Sequence, residues 1–214
     1  MIYKIIKTLT NSGIYDITIV LGGESVGDFI KLLGDGSAFN AKFNYVYQQG
    51  AGGIAEALYL TKEIVKSHKI AVILGDNIFE NSFAKEVKEF ENTKDYDCFL
   101  FLKEVSDPER FGVAELNEKG EIINIEEKPK LPKTNLCVTG LYFYDEKIFN
   151  IIEKVINDIG YSDRGELEIT DVNNHYIKIG TAKAQIVNGF WSDAGTFETL
   201  LRCSNFKSEL SKME

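Results

Sequence analysis

Two aspartates stand in segments that suit a site for a metal ion or a phosphate. Asp76 follows the apolar run IAVIL at 70–74 and Gly75, a pattern typical of a buried strand that stops at a glycine. Open α/β sheets bind ligands at the carboxyl ends of such strands. Asp193 comes far downstream, in the run WSDAGT at 191–196. Two such carboxylates can hold one Mg²⁺ against a phosphate, because Mg²⁺ takes hard oxygen ligands and few protein groups.

A glycine-rich segment, GAGGIA at 50–55, lies between a predicted strand and a predicted helix. It nearly matches the dinucleotide-binding fingerprint, in which an acidic residue follows about 20 residues later, as Asp76 does here. The dehydrogenase alternative is disfavoured because the strand before Asp76 is the third or later of the chain. The glycines still let the backbone approach a ligand, and the helix that starts at Ile54 presents N–H groups to an anion.

Three further charged segments have both a structural and a functional interpretation. Glu127 and Lys128 close a predicted strand and would face opposite ways, so they could serve a sugar hydroxyl and a phosphate separately, or simply be solvated. Arg164, one of three arginines, precedes an acidic helix start and is either part of its capping or a fork for phosphate. The loop DPERFGV at 107–113 is either a simple turn or a lid whose Gly112 backbone meets a ligand.

Composition excludes several classes of protein. The 214 residues are 44% hydrophobic and carry a net charge of −9 with no basic run, so neither nucleic acid nor an anionic membrane is an expected partner. No apolar stretch reaches the roughly 18 residues that suggest a membrane span, and polar residues interrupt the start, unlike a signal peptide. We interpret the scattered cysteines as reduced thiols of a cytosolic protein, and the histidines as surface residues: Cys98, Cys137, Cys203, His68 and His175.

The order of predicted elements indicates an α/β fold. Helices and strands alternate over the first half of the chain, which implies a mostly parallel sheet with helices on both faces. The predicted helices there are 2–9, ended by the NSG run at 11–13, then 29–33, 54–65 and 83–90, the last capped by Ser82. The predicted strands are 17–21, 43–47, 70–74 and 98–102. A hairpin of 113–116 with 121–125 follows, then strand 141–144, helices 148–156 and 167–179, strand 184–187 and helix 196–210. No linker or repeat divides the chain, so we expect one domain.

Seven segments together resemble the sugar-1-phosphate nucleotidylyltransferase family, most closely its glucose-1-phosphate thymidylyltransferases. They occur in family order over nearly the whole chain. They are Gln48 with 52–55 (GGIA), 74–77 (LGDN), 107–113 (DPERFGV), 126–129 (EEKP), 138–144 (VTGLYFY), 164–171 (RGELEITD) and 191–196 (WSDAGT).

The resemblance implies a Rossmann-like, mostly parallel sheet flanked by helices, with an inserted β-hairpin region for sugar binding. It also implies an enzyme that joins glucose 1-phosphate to the α-phosphate of dTTP, releasing pyrophosphate and giving dTDP-glucose. By family role, Asp76 and Asp193 hold Mg²⁺, and Gln48 and the Gly53 backbone read the thymine. Gly112, Glu127, Val138 and Tyr142 line the glucose, and Lys128 and Arg164 hold its phosphate. The family commonly forms homotetramers.

The chain departs from the family pattern at its start. The family begins with a strand, a loop G-G-x-G-T-R-L that wraps the triphosphate, and a helical segment with a lysine, whereas Met1 falls after this unit of about 25 to 30 residues. We therefore interpret 1–214 as a single nucleotidyltransferase domain, incomplete at its N terminus relative to the family. We expect little turnover from these residues alone, because the loop that grips the triphosphate is missing. We also expect marginal stability or aggregation, because a missing central strand leaves two strand edges open.

Two other functions stay open at this point. The chain could be a non-catalytic protein that binds sugar nucleotides, because the residues for the sugar side are present and the triphosphate loop is not. It could also be a related enzyme that uses UTP or another sugar 1-phosphate, which would differ only in the detail of the pocket. Calorimetry with dTDP-glucose and dTTP addresses the first alternative, and a panel of nucleotides and sugars addresses the second.

Overall fold

Helices cover both faces of a mixed sheet in the computed structural model, which describes residues 1–210. The helices are α1 (Ile2–Asn11), α2 (Val26–Leu33), α3 (Ile54–Tyr59), α4 (Lys62–Val65), α5 (Ala84–Asn92), α6 (Ile148–Asp158), α7 (Ile169–Lys178) and α8 (Phe197–Leu210). The strands are β1 (Asp16–Gly22), β2 (Lys42–Gln48), β3 (Ile70–Ile73), β4 (Asn77–Phe79), β5 (Cys98–Glu104), β6 (Gly112–Leu116), β7 (Ile122–Glu127), β8 (Leu136–Tyr144), β9 (Ala182–Ile186) and β10 (Trp191–Asp193). Short 3-10 helices lie at Ser37–Phe39 and Pro108–Arg110.

The main sheet has six strands, and most of them point the same way. β8 is antiparallel to β3, β5 and β6, so these three share one direction, and β9 joins them through its parallel pairing with β5. β7 pairs antiparallel with β6 and forms the predicted hairpin. The prediction of an α/β fold with a mostly parallel sheet and an inserted hairpin is thus confirmed, with β8 as the strand that makes the sheet mixed.

β8 brings the ends of two strands to one point. Along one edge it pairs with β3 through residues 141–144 and with β6 at Cys137. β3 therefore ends, and β6 begins, on either side of Gly140, whose carbonyl accepts the N–H of Leu74 at 2.8 Å. The chain leaves the sheet after β3 at Asp76 and enters it again at Gly112. Two of the predicted site segments, 74–77 and 107–113, are consequently connected to β3 and β6 at the point where β3 ends and β6 begins along β8.

The core of the main sheet is divided between its two faces. Along β5, Cys98, Leu100 and Leu102 pack with α3, α6 and α7, whereas Phe99 and Phe101 pack with α5 and the aromatic cluster around Phe143. This alternation is the two-residue period of a strand that is buried on both faces. It explains why β5 reads as an uninterrupted apolar run in the sequence.

β1 and β2 form a separate parallel pair, from Asp16↔Lys42 to Gly22↔Gln48. Within residues 1–210, β1 pairs only with β2, and β3 pairs only with β8. The open edges of β1 and β3 line one cleft of about 1200 Å³, together with apolar side chains of α1, α3 and α4. That volume is larger than the roughly 300 to 1,000 Å³ of typical small-molecule pockets.

Several local predictions need correction. The predicted helix 54–65 is split into α3 and α4, where the hydroxyl of Thr61 donates to the carbonyl of Leu58 at 2.7 Å and competes with the helical bonds. Ser82 does not cap α5, which begins after Phe83. The N–H of Phe83 is instead accepted by the hydroxyl of Ser12, at the end of α1. Predicted helix 167–179 begins two residues later, at Ile169.

All three cysteines are free and buried, as expected for reduced thiols. His68 is exposed and His175 is half-buried. Burial, with the nearby charges of Lys154 and Lys178, lowers the pKa of His175. Within the described residues, no helix is both long and apolar enough to cross a membrane.

Candidate active site

Asp76 and Asp193 come together because two short strands pair. β4 and β10 are antiparallel, with Asn77 opposite Asp193. The side chain of Asn77 is also hydrogen-bonded to Trp191, which lies 114 residues further along the chain. The N–H of Ala194 donates to the backbone carbonyl of Asp76 at 2.9 Å. This pairing fixes both aspartates at the end of the sheet where β3 stops.

The carboxylates of Asp76 and Asp193 both lie close to Gly195. A Cβ added at Gly195 would lie 3.2 Å from Asp193 Oδ2 and 3.5 Å from Asp76 Oδ2. A methyl group would thus occupy the small space that both carboxylates border. The described residues contain no cluster of three or more acidic, histidine or cysteine side chains for a metal. A site of two carboxylates suits Mg²⁺, which usually takes one or two from the protein and completes its shell with water and phosphate.

Asn77 holds the aspartates in place through three hydrogen bonds. Its Oδ1 accepts the N–H of Gly140 and the indole Nε1–H of Trp191, each at 2.9 Å, and its Nδ2 donates to Asp76 Oδ1 at 2.8 Å. A Cβ at Gly140 would lie 2.6 Å from Asn77 Cγ, so only glycine lets the amide approach this closely. Asn77 is 4% exposed, and its buried bonds orient the carboxylate of Asp76.

Arg110 lies between Asp107 and Asp193. Its Nη1 is 2.9 Å from Asp107 Oδ2, and its Nη2 is 2.8 Å from Asp193 Oδ2. These partners, with the hydrogen bond to Asp107 first, raise the pKa of the Arg110 guanidinium. The 3-10 helix that carries Arg110 leads directly into β6, so this residue connects the carboxylate pair to the hairpin.

Glu127 and Arg164 lie together beside Gly112. Gly112 pairs with Glu127 across the hairpin, and a Cβ there would lie 3.4 Å from Glu127 Oε2 and 3.1 Å from Ile125 Cγ2. The hydroxyl of Thr170 donates to Glu127 Oε2 at 2.5 Å. Arg164 Nη2 is 3.4 Å from Glu127 Oε1 and donates to Glu168 at 2.8 Å. The hydrogen bond to Glu168 is the largest cause of the raised pKa of Arg164.

Lys128 does not continue the strand. β7 ends at Glu127, and Lys128 has φ of 43°, a left-handed conformation that non-glycine residues rarely adopt. The prediction that the pleat of a strand separates Glu127 from Lys128 is therefore wrong, and the turn separates them instead. The N–H of Lys128 donates to the carbonyl of Phe111 at 3.0 Å. Within the described residues its exposed ammonium has no ion-pair partner.

Tyr142 and Val138 contribute from β8. Both are buried, at 4% and 8% exposure. Burial is the main cause that raises the pKa of Tyr142, followed by the charge of Glu127, with Asp76 a further contributor. The hydroxyl of Tyr142 makes no hydrogen bond to any described residue.

Gln48 and Gly53 lie together at one side of the cleft between β1 and β3, which also reaches Leu74 and Gly75. Gln48 Nε2 donates to the Gly53 carbonyl and to Glu56 Oε1, each at 3.2 Å. These two acceptors orient the amide group and leave Gln48 Oε1 to accept a bond from a ligand. Gly53 has φ of 93°, and a Cβ there would lie 2.5 Å from the carbonyl oxygen of Leu167.

The glycine turn is bonded to the segment that follows Arg164. Leu167 donates its N–H to the Gly52 carbonyl at 2.7 Å and accepts the N–H of Ala55 at 3.3 Å. This places the Gln48 side of the site next to the side that holds Arg164 and Glu127. Gln48 and Gly53 line the cleft, whereas Glu127 and Lys128 do not, so the predicted site extends beyond the cleft.

The sequence did not single out five residues that orient the predicted ones. They are Asn77, Arg110, Glu56, Thr170 and Glu168, and each makes a hydrogen bond described above. All five are polar and lie in or within a few residues of the recognised segments. Such neighbours are a usable signal, although their partners come from distant parts of the chain.

Comparison with known proteins gives consistent relatives. The family model described as nucleotidyl transferase matches residues 1–209. A glucose-1-phosphate thymidylyltransferase of Neisseria meningitidis is 37% identical over 217 residues, covering 100% of this chain and 74% of that protein. One from Mycolicibacterium smegmatis is 34% identical, covering 96% of this chain and 70% of the relative.

Solved structures agree on the fold. A structure described as a glucose-1-phosphate thymidylyltransferase from Bacillus anthracis in complex with sucrose has a TM-score of 0.88 and 44% identity, covering 96% of this chain and 81% of that one. A UDP-glucose pyrophosphorylase in complex with UDP-glucose has a TM-score of 0.79 at 24% identity, covering 96% and 85%. At that identity the likeness concerns the fold alone.

Proposed function

The chain belongs to the nucleotidyl transferase family, and on that premise we propose that its site transfers a thymidylyl group from dTTP to glucose 1-phosphate. The products are dTDP-glucose and pyrophosphate. The observation that carries the proposal is the convergence of Asp76 and Asp193 on the space at Gly195. Relatives named for this activity cover nearly the whole chain.

Asp76 and Asp193 would hold the Mg²⁺ that the family resemblance implies. Their donor set fits, because two hard carboxylate oxygens face one space that a methyl group would fill. When bound, Mg²⁺ supplies charge neutralisation and a template for the phosphates. Asn77 fixes the rotamer of Asp76 through its amide, and the N–H of Gly195 donates to Asp193 Oδ2 at 3.2 Å.

The reaction exchanges one phosphorus–oxygen bond for another. A phosphate oxygen of glucose 1-phosphate attacks the α-phosphorus of dTTP, and the bond to the bridging oxygen of the β-phosphate breaks, so pyrophosphate leaves with that electron pair. The nucleophile is already an anion, so the site needs no strong general base. Its task is to bring two anions together in line, and Lys128 and Arg164 supply positive charge on the sugar-phosphate side.

Gln48 and Gly53 support recognition of an imide base. With its Nε2 occupied by Glu56 and the Gly53 carbonyl, Gln48 offers an acceptor to the N3–H of thymine. Cytosine has an acceptor at that position, so two acceptors would oppose each other. Uracil shares the imide edge with thymine, and this shared edge is the specific reason for keeping UTP as an alternative substrate.

Glu127 would accept hydroxyl hydrogens of the glucose, with Gly112 leaving room beside it and Tyr142 closing the pocket. Thr170 holds Glu127 Oε2, which leaves Oε1 between the ligand and Arg164. Arg164 donates to Glu168, so a sugar phosphate must compete with that carboxylate. Val138, which is buried on β8 in the same core cluster as Tyr142, would add an apolar wall to this pocket.

A nucleotide and sugar panel tests the proposal. Trp191 is the sole tryptophan of the chain and lies one hydrogen bond from Asn77, so its fluorescence reports ligands at the site. dTDP-glucose and UDP-glucose should give saturable changes, whereas CDP-glucose and ADP-glucose should bind at least about tenfold more weakly because of the mismatched base edge. Equal binding of all four would contradict the assigned base site. Binding of dTDP-glucose without any formation of it from dTTP, even in the chain extended upstream by the strand, loop and helical segment of the family pattern, would favour the non-catalytic alternative.

A further inference from the structure

Arg110 places a positive charge beside the two aspartates. Asp76 Oδ2 and Asp193 Oδ2 both border the space at Gly195, and like charges so placed repel. The guanidinium of Arg110 donates to Asp193 Oδ2, the same oxygen that borders this space. The side chain of Asp193 is only 12% exposed, so water screens this charge poorly.

Asp107 gives the guanidinium a second partner. It lies three residues before Arg110, on the far side from Asp193, and its side chain is 43% exposed. Arg110 presents two different nitrogens, Nη1 to Asp107 and Nη2 to Asp193. One bond can therefore open while the other keeps the side chain attached to its own turn.

A divalent cation at Asp193 cannot share Oδ2 with a guanidinium at 2.8 Å without strong repulsion. We propose that Arg110 is a counter-ion of Asp193 that opposes entry of a divalent cation, and that it stays bound to Asp107 alone when the cation binds. This inference rests on the metal position of the proposed function. Arg110 is a positioning residue in this scheme and touches no reacting atom.

The scheme predicts opposite effects for the two partners of the switch. Arg110→Gln removes the competing charge and should tighten cation binding, by about fivefold for a partly exposed ion pair. Asp107→Asn removes the second partner of Arg110, so the guanidinium pairs with Asp193 alone. This change should weaken cation binding by a similar factor. In the Arg110→Gln background, Asp107→Asn should then have almost no effect on cation affinity, since no guanidinium remains for Asp107 to hold.

Mn²⁺ alone, titrated without nucleotide, is the probe. It takes the oxygen ligands that suit Mg²⁺, and its paramagnetism quenches the fluorescence of nearby Trp191. Arg202→Gln is the matched control, because it removes another guanidinium, one that lies over the ring of Phe190 and forms no described ion pair. It should leave the Mn²⁺ affinity within about twofold of wild type. A thermal melt of each variant checks that it is folded.

The outcomes separate this inference from the proposed function. If Asp193→Asn binds Mn²⁺ as tightly as wild type, the metal position itself is wrong. If Asp193→Asn loses binding while Arg110→Gln leaves affinity unchanged, the metal position stands and the counter-ion role is overturned. If Asp107→Asn weakens binding equally with and without Arg110, its effect is only that of a lost negative charge, and the switch is again overturned.

Discussion

Trp191 donates its indole N–H to Asn77 Oδ1 at 2.9 Å, across 114 residues of sequence. The same oxygen accepts the N–H of Gly140, and the amide nitrogen of Asn77 donates to Asp76. One buried side chain therefore ties β10, β8 and the carboxylate of Asp76 into a single arrangement. The precision of the site depends on this amide as much as on the aspartates themselves.

Asn77→Ala should destabilise the protein and disturb the metal site together. The change leaves two buried N–H donors unpaired, each at a cost of about 1 to 3 kcal/mol, so we expect a loss of roughly 2 to 6 kcal/mol in unfolding free energy. Urea unfolding followed by Trp191 fluorescence measures it. Asn92→Ala is the control, because its amide bonds only to the Lys88 carbonyl at the surface. Equal losses in both variants would contradict the role given to Asn77.

Glu56→Ala should weaken base discrimination without unfolding the protein. Glu56 accepts a bond from Gln48 Nε2, and without it only the Gly53 carbonyl orients the amide, which can then more readily turn its other group to the base. We expect the preference for dTDP-glucose over CDP-glucose to fall about tenfold, the value of one lost orienting bond. Glu63→Ala, which loses an exposed ion pair with Lys66 instead, should keep the preference. An unchanged preference in Glu56→Ala would remove the residue from the account.

Thr170→Val should act on the sugar and not on the nucleotide. The Thr170 hydroxyl donates to Glu127 Oε2, and valine keeps the shape while it removes the donor. In the chain extended upstream by a strand–loop–helix unit of the family pattern, the KM for glucose 1-phosphate should rise by about fivefold to tenfold, with the KM for dTTP unchanged. Thr170→Ser restores the donor and should recover most of the loss. Equal changes in the two KM values would show a general structural effect.

The cleft between β1 and β3 predicts how residues 1–214 behave alone. Two open strand edges and the apolar side chains of α1, α3 and α4 line it. Such edges favour aggregation and exposed apolar surface binds dyes, so we expect ANS binding and a broad melt. Met1 also lines the cleft. Adding a strand–loop–helix unit of the family pattern upstream of Met1 should therefore sharpen the melt and reduce ANS binding. A cooperative, monodisperse melt of the 214-residue chain would contradict this.

The sequence predicted the elements whose periodicity is long and strong. α1, α6 and β5 each bury a regular set of apolar residues, and their predicted positions agree with the structure to within a few residues. β4 and β10 were missed because three residues are too few to show a period. Their pairing is nevertheless what joins Asp76 to Asp193, and only tertiary contacts reveal it.

The site was predictable in its chemical groups and not in its restraints. Segments such as LGDN and WSDAGT point to carboxylates at strand ends, and the structure brings them together. The ion pair of Arg110 with Asp193 spans 83 residues and has no local signature. The left-handed turn at Lys128 likewise has no local signal, because it is imposed by the bond of its N–H to Phe111.

Gly195→Ala offers the most direct test of metal-dependent transfer at Asp76 and Asp193. The added methyl group would enter the space that both carboxylates border, and Gly195 does not have the positive φ that strains alanine. Formation of dTDP-glucose from dTTP and glucose 1-phosphate is followed against Mg²⁺ concentration, in the chain extended upstream by the strand–loop–helix unit. Gly27→Ala, at a position with open space in α2, is the matched control.

The account predicts that Gly195→Ala raises the Mg²⁺ concentration for half-maximal formation of dTDP-glucose at least about tenfold, while Gly27→Ala leaves it unchanged. A folded Gly195→Ala variant with the Mg²⁺ dependence of the unsubstituted protein would contradict the assignment of Asp76 and Asp193 as the metal site.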